Sequence, residues 1–188
     1  ASTAAELAAL QAQIEPHFLF NALNTIAAFC RTQPDRARGL VLSFATYCRS
    51  TLRRPETFVT LAEELGHVDA YLALEQARFG DSLELERRIA PGAEEALVPP
   101  FLVQPLVENA IKHGVSRRPG PGTLALSSRR DGASLVVEIR NDAVVDDRPP
   151  RPDGVGLANT RARISQIYGA AASLEARPEG VDAFLAVL

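Results

Sequence analysis

Methionine and tryptophan are both absent from the 188 residues. With no methionine even at position 1, the chain reads as a piece of a longer or processed protein, and an upstream region is expected. There are two cysteines. Cys30 and Cys48 sit inside apolar helical patterns and lack metal-ligand spacing, so they read as buried thiols of a reducing compartment. No stretch approaches the run of about 18 apolar residues that spans a bilayer, and nothing resembles a signal peptide. Neither sign of charge dominates: the formal net charge is −3. That leaves no electrostatic case for a nucleic-acid or anionic-membrane surface. Internal repeats and low-complexity tracts are missing too.

What remains is ordinary globular material, 46% apolar and 23% charged, enough for one large domain or two small ones. The first 80 residues read as helices. A helix is expected from about Glu6 to Arg31, broken at Gln33-Pro34-Asp35. At about 100° per residue, His17, Asn21 and Asn24 share an arc of about 80°. Phe18, Phe29, Ala22, Ile26, Leu19, Cys30, Leu23 and Phe20 are assigned to the opposite side. Pro16 removes a backbone donor just before the histidine. A second helix is expected to carry Leu40, Val41, Phe44, Cys48, Thr51 and Leu52 on one stripe. Two such helices make an antiparallel hairpin, and a homodimeric four-helix bundle completes its core. Thr60 and Glu63 have the spacing of a capping box. The helix they open places Leu61, Leu65, Val68, Leu72, Glu75 and Phe79 on one face and stops near Gly80. His67 on that helix reads as a structural or surface residue.

After Asp81 the texture changes. Leu83 to Arg88 alternates as a strand does, and Pro99-Pro100 is expected to open a helix from about Phe101 to His113. Thr123–Ser128 and Ser134–Asn141 read as a hairpin turning at Arg130-Asp131-Gly132. Val144 to Asp153 reads as a mobile loop. A helix Leu157–Tyr168 and strands near Ala172–Ala176 and Ala183–Leu188 close the chain. The order predicts an α+β fold: a helical hairpin region over 1–80, then 81–188 as a sheet covered on one face by helices.

Three stretches carry chemistry. A neutral, solvent-reachable imidazole is a nucleophile, which makes His17 a possible phosphate acceptor, although a lone histidine is more often a capping or interface residue. Asn109, Lys112 and His113 share one helical surface at three- and four-residue steps. An amide oxygen suits Mg²⁺, and a lysine supplies a point charge to phosphate. Gly154-Val155-Gly156-Leu157 opens a helix whose free N–H groups can cradle phosphate. The full dinucleotide fingerprint and the phosphate-loop lysine motif are both missing.

The His17 stretch, Pro105-Leu106-Val107-Glu108-Asn109-Ala110-Ile111-Lys112-His113-Gly114, and Gly154-Val155-Gly156-Leu157-Ala158-Asn159-Thr160-Arg161-Ala162-Arg163-Ile164 resemble the H, N and G boxes of LytS/YehU-type sensor histidine kinases. The resemblance implies a dimerisation and histidine phosphotransfer region followed by a Bergerat-type (GHKL) ATP-binding α/β sandwich. By it His17 is the phosphoacceptor, with Glu15 or Asn21 orienting the imidazole. Asn109 is the Mg²⁺ ligand, and Lys112 and His113 make phosphate-side contacts. Gly154 and Gly156 cradle phosphate, with Leu157 and Asn159, Arg161 and Arg163 on the G-box helix. It further implies ATP and Mg²⁺ as cofactors, a response-regulator receiver domain and a second copy of the chain as partners, and a cytoplasmic location, with a membrane met only through an upstream region. One departure is visible: Asn141-Asp142-Ala143 stands where many such kinases have Asp-x-Gly, so Asn141 would meet adenine without charge assistance. That departure keeps a second reading open, a nucleotide-binding or docking module without turnover. A hydrolytic ATPase is disfavoured by Pro105, which occupies the place of the water-activating glutamate.

Overall fold

The computed structural model describes residues 16–52, 58–117, 119–142, 155–178 and 183–187. These fall into two compact units, one from 1–55 with Gly66–Gly80 and one from 56–65 with Asp81–Leu188. In this division Glu56–Leu65 goes with the second unit, although the expected boundary fell only after Gly80. The expected helix start at Glu6, the break at Arg53-Arg54-Pro55 and the loop Val144–Asp153 lie outside the described residues.

In the first unit, α1 (Pro16–Cys30) and α2 (Pro34–Leu52) pack as a hairpin. Gln33 N donates to Phe29 O at 2.8 Å and Ala37 N to Gln33 O at 3.0 Å, so the turn hands one helix directly to the next. Pro34 starts α2, where its fixed φ suits a helix and its missing N–H costs nothing. Helix α3 (Leu61–Phe79) opens on the expected capping box. Glu63 N donates to Thr60 Oγ1 at 3.2 Å and Thr60 N to Glu63 Oε2 at 2.9 Å, a device worth about 0.5–2 kcal/mol. Leu61, Leu65, Val68, Leu72 and Glu75 are buried as expected. Phe18, Tyr47 and Tyr71 form an aromatic cluster, with Phe18 4.7 Å from Tyr47 and 5.0 Å from Tyr71 between ring centroids.

Three expectations about these helices are corrected. On α1 the buried arc is Phe18, Ala22 and Ile26, while Phe20 and Leu23 are 68% and 50% exposed. At about 100° per residue they lie beyond His17 and Asn24, on the far side from Phe18, so the helix has two apolar borders with the polar arc between. On α2 the inward face is Ala37, Leu40, Tyr47 and Ser50, and Val41 is exposed. The face is set by the large Tyr47 ring, which rotates Cys48 toward the edge. Accordingly Cys30 is exposed and Cys48 half-buried, and the two thiols are not core groups.

The second unit is built on a five-stranded mixed sheet from β2 (Leu83–Ile89), β4 (Gly122–Asp131), β5 (Ser134–Asp142), β6 (Glu175–Pro178) and β7 (Ala183–Val187), ordered β2-β4-β5-β7-β6. Strands β2 and β4 are parallel and the other neighbours antiparallel. Alternation dictates the sheet faces: Leu124, Leu126 and Ser128 are buried on β4, and Val137, Ile139 and Asn141 on β5. Leu124 lies directly across from Asn141, and Leu126 across from Ile139. The β4–β5 hairpin closes at Asp131↔Ser134, so its loop is Gly132-Ala133, shifted toward the C-terminus from the expected turn. Gly132 has φ +61°, the left-handed conformation such two-residue loops require.

Helix α4 (Gln104–His113) packs against β5 and against α5 (Val155–Tyr168). It starts three residues later than expected because Phe101 has φ +57°, outside the right-handed helical region. Before it, β3 (Leu97–Val98) pairs antiparallel with β1 (Val59–Thr60), a ladder too short to be read from sequence pattern.

Candidate functional site

In the first unit the candidate is His17. Burial of Phe18 and Ala22 fixes the rotation of α1, which leaves His17 and Asn24 exposed and Asn21 half-buried. Asn21 Nδ2 lies 3.2 Å from Nδ1 and 3.4 Å from Nε2 of His17. The amide four residues on thus restrains the imidazole while leaving it open to solvent. Glu15, the other candidate for this role, lies outside the described residues.

In the second unit the candidate residues lie on α4, at the end of β5 and at the start of α5. Leu106, Val107, Ala110 and Ile111 are buried, which turns Asn109, Lys112 and His113 away from the core. Asn109 is half-buried, and Lys112 and His113 are exposed. At the end of β5, Asn141 is 3% exposed. Its Nδ2 donates to Asp142 O at 3.2 Å, and its Oδ1 is buried without a hydrogen-bond partner among the described residues. Asp142 Oδ2 accepts from Thr123 N at 2.9 Å, so that carboxylate is engaged within the sheet. Asn141 therefore holds a buried spare acceptor.

Gly114 closes α4, with its N–H donating to Ala110 O. A Cβ on Gly114 would stand 1.8 Å from Asn141 Nδ2 and 2.5 Å from Ala110 O. The end of α4 and the end of β5 are thus brought together by the absence of a side chain. On α5, Leu157 is buried and Asn159 exposed, while Arg161 Nε donates to Leu174 O at 3.2 Å. Gly156 lies within α5, and Gly154 lies outside the described residues.

No group of three or more His, Cys, Asp or Glu side chains among the described residues is arranged to hold a metal. Mg²⁺ takes one or two protein oxygens and completes its shell with waters and substrate phosphates. The half-buried amide of Asn109, with Lys112 and His113 beside it, and the orphaned Asn141 Oδ1 fit a nucleotide carrying such an ion. Two side chains at the start of α4 were given no structural role by the sequence. Glu64 is 0% exposed and accepts backbone N–H groups at the entry to α4. Gln104 pairs with Glu108, its Nε2 donating to Oε1 at 2.8 Å. A glutamate in an otherwise apolar helical stripe was the one signal available for the first.

The Histidine kinase family profile matches residues 5–83. The chain is 42% identical over 167 residues to the sensor histidine kinase BtsS of Escherichia coli, covering 89% of this chain and 30% of the relative. It is 36% identical over 188 residues to the sensor protein LytS of Bacillus subtilis, covering 93% of this chain and 32% of the relative. The chain therefore spans about a third of the length of these curated relatives. Among solved structures, the histidine kinase domain of a blue-light-activated histidine kinase from Erythrobacter litoralis matches with a TM-score of 0.53 at 18% identity, covering 96% of this chain and 88% of that one. The catalytic domain of the histidine kinase ThkA matches with a TM-score of 0.50 at 16% identity, covering 72% and 95%. These likenesses identify the α+β fold as that of histidine kinase catalytic domains. The sequence relationship places the chain in the protein histidine kinase family, among the sensor kinases of LytS type.

Proposed function

We propose that this chain is the catalytic core of a two-component sensor kinase: it binds ATP with Mg²⁺, transfers the γ-phosphoryl group to His17, and passes it to an aspartate of a response-regulator receiver domain. The observation that carries the proposal is the exposed imidazole of His17, held by Asn21 on a helix whose other side is buried. ATP supplies the phosphoryl group, and Mg²⁺ neutralises charge on its phosphates. Asn109 offers the ion an amide oxygen, Lys112 and His113 face the phosphates, and Asn141 Oδ1 accepts from the adenine amino group. At His17 the unprotonated ring nitrogen forms an N–P bond as the P–O bond to ADP breaks, and the proton on the other nitrogen is released. Such transfer depends on positioning and electrostatic stabilisation, which is why Asn21 is assigned to imidazole orientation.

A homodimer belongs to the same proposal. Phe20, Leu23, Val41 and Leu42 are exposed apolar residues on the hairpin, a surface suited to a second copy in a four-helix bundle. ATP as substrate implies a cytoplasmic location. Among the described residues no helix is long and apolar enough to cross a membrane.

The test is acid-labile, alkali-stable phosphate on the protein after incubation with radiolabelled ATP. Wild type is expected to label, and His17→Ala to lose the label while nucleotide affinity stays unchanged. Labelling of the variant would remove His17 from the role. The second reading, a nucleotide-binding module without turnover, draws on Asn141 in place of a charged partner; it predicts ATP binding and no label in either form.

A further inference from the structure

We propose that Glu64 is a positioning residue for the metal and phosphate end of the nucleotide site, acting through the first turn of α4. This deepens the reading just given and rests on it. Helix α4 has no cap of its own: Val103 stands at the N-cap and provides no side-chain hydrogen bond. The free N–H groups of that end are taken instead by a residue some forty positions earlier. Glu64 Oε1 accepts from Val103 N at 3.0 Å and Gln104 N at 3.2 Å, and Oε2 accepts from Phe101 N at 3.0 Å. A carboxylate at the positive end of a helix is in its favourable place, and here it is removed from water.

The arrangement does more than an ordinary cap. A cap satisfies one or two N–H groups of the helix. Glu64 also holds Phe101, which precedes the helix and sits at φ +57°, so one carboxylate fixes both the entry of the chain and the first turn. From that turn a second link runs forward. Gln104, bound to Glu64 through its backbone, donates from Nε2 to Glu108 Oε1 at 2.8 Å. Glu108 directly precedes Asn109.

Gln104 is 4% exposed, and its Oε1 has no partner among the described residues. Leucine would fill much of this volume without orphaning an oxygen, so the amide brings little to stability that an apolar side chain would not. What it does is hold Glu108. Asn109 stands about 7.5 Å along the axis from Gln104, and Lys112 and His113 lie on the same short rigid rod. A shift or rotation at the first turn therefore displaces all three together. Asn141, on β5, does not belong to that rod.

The experiment uses the full chain with Gln104→Leu and Glu64→Gln. In Glu64→Gln the amide sets a donor against the backbone donors at the start of α4. Melting temperature, ATP affinity with Mg²⁺ and ATP affinity in chelator are measured for each. Gln104→Leu is expected to melt at or above wild type while its Mg²⁺–ATP affinity falls by about fivefold or more, the low end of coupling between linked sites. Its affinity in chelator should stay within about twofold. Glu64→Gln should lose stability as well as the Mg²⁺-dependent affinity. If it does not fold, Glu64→Asp, which keeps the charge on a shorter arm, takes its place and should lose the Mg²⁺-dependent affinity as well. Full Mg²⁺-dependent affinity in Gln104→Leu overturns the inference, as does an equal loss with and without Mg²⁺. A wild-type chain whose ATP binding ignores Mg²⁺ sinks the Asn109 assignment itself, a failure distinct from that of Glu64.

Discussion

Asn141 lies against Gly114 so closely that any Cβ on the glycine would fall 1.8 Å from the asparagine amide. Gly114→Ala forces the Asn141 side chain out of its place and also presses on Ala110 O, a backbone atom that cannot swing away. Overpacking of this kind costs about 1–3 kcal/mol. Urea denaturation should show that loss, and ATP titration should show weaker binding by the folded protein. Unchanged values in both would mean that the contact is not needed by either the fold or the site.

Asn141→Asp restores charge at the proposed adenine contact. A hydrogen bond to a charged group is worth about 1.5–3 kcal/mol against about 0.5–1.5 for a neutral one, so a gain of about 1 kcal/mol, roughly fivefold in ATP affinity, is expected. The same change turns a donor to Asp142 O into an acceptor facing it. Stability should therefore fall while affinity rises. An adenine-free triphosphate is the control: equal gains for it and ATP would mean that position 141 does not read the base.

Phe20→Glu combined with Leu23→Glu places charge on exposed positions of α1, where surface changes alter stability by only about ±0.5 kcal/mol. The double variant should sediment as monomer at tens of micromolar, a range of ordinary self-association, and melt below the wild-type dimer, whose association adds to its stability. Wild-type protein that sediments as monomer at that concentration would remove the dimer from the proposal.

The two thiols should separate in an alkylation time course followed by peptide mass spectrometry. Cys30 is exposed, whereas Cys48 is half-buried and its thiol pKa is pushed up by desolvation. A raised pKa means less thiolate at a given pH, and thiolate is the reacting form. Cys30 is modified first near neutral pH, and Cys48 gains speed only as pH passes above the usual thiol range. Equal rates at neutral pH would contradict the burial.

The elements legible in the sequence were those with a local cause. The Thr60–Glu63 box, the periodic face of α3 and the Leu83–Ile89 alternation all came out where the residues placed them. Tertiary causes were not legible. Phe20 and Leu23 are as apolar as Ile26, and only the packing partner of α1 decides which of them is covered. The start of α4 was misplaced because Pro99-Pro100 suggested a helix opening, whereas the real cap arrives from Glu64, far away in sequence. Asn109, Lys112 and His113 were grouped by their spacing, and the helix keeps all three off its buried face. Gly114 passed unremarked, since its need for an empty Cβ position exists only once β5 is beside it.

The sheet also carries a consequence for the order in which the chain assembles. Strands β4 and β5 are joined by a two-residue loop and pair locally, but β2 meets β4 in parallel, with β3 and all of α4 between them in the chain. A parallel pair needs such a crossover, and long-range pairings of this kind are slow because loop closure precedes the contacts that reward it. The helix bearing Asn109 is itself the crossover. It packs against β5, a strand of the hairpin, and against α5, so refolding followed by nucleotide capture should show the hairpin formed before the binding site is competent.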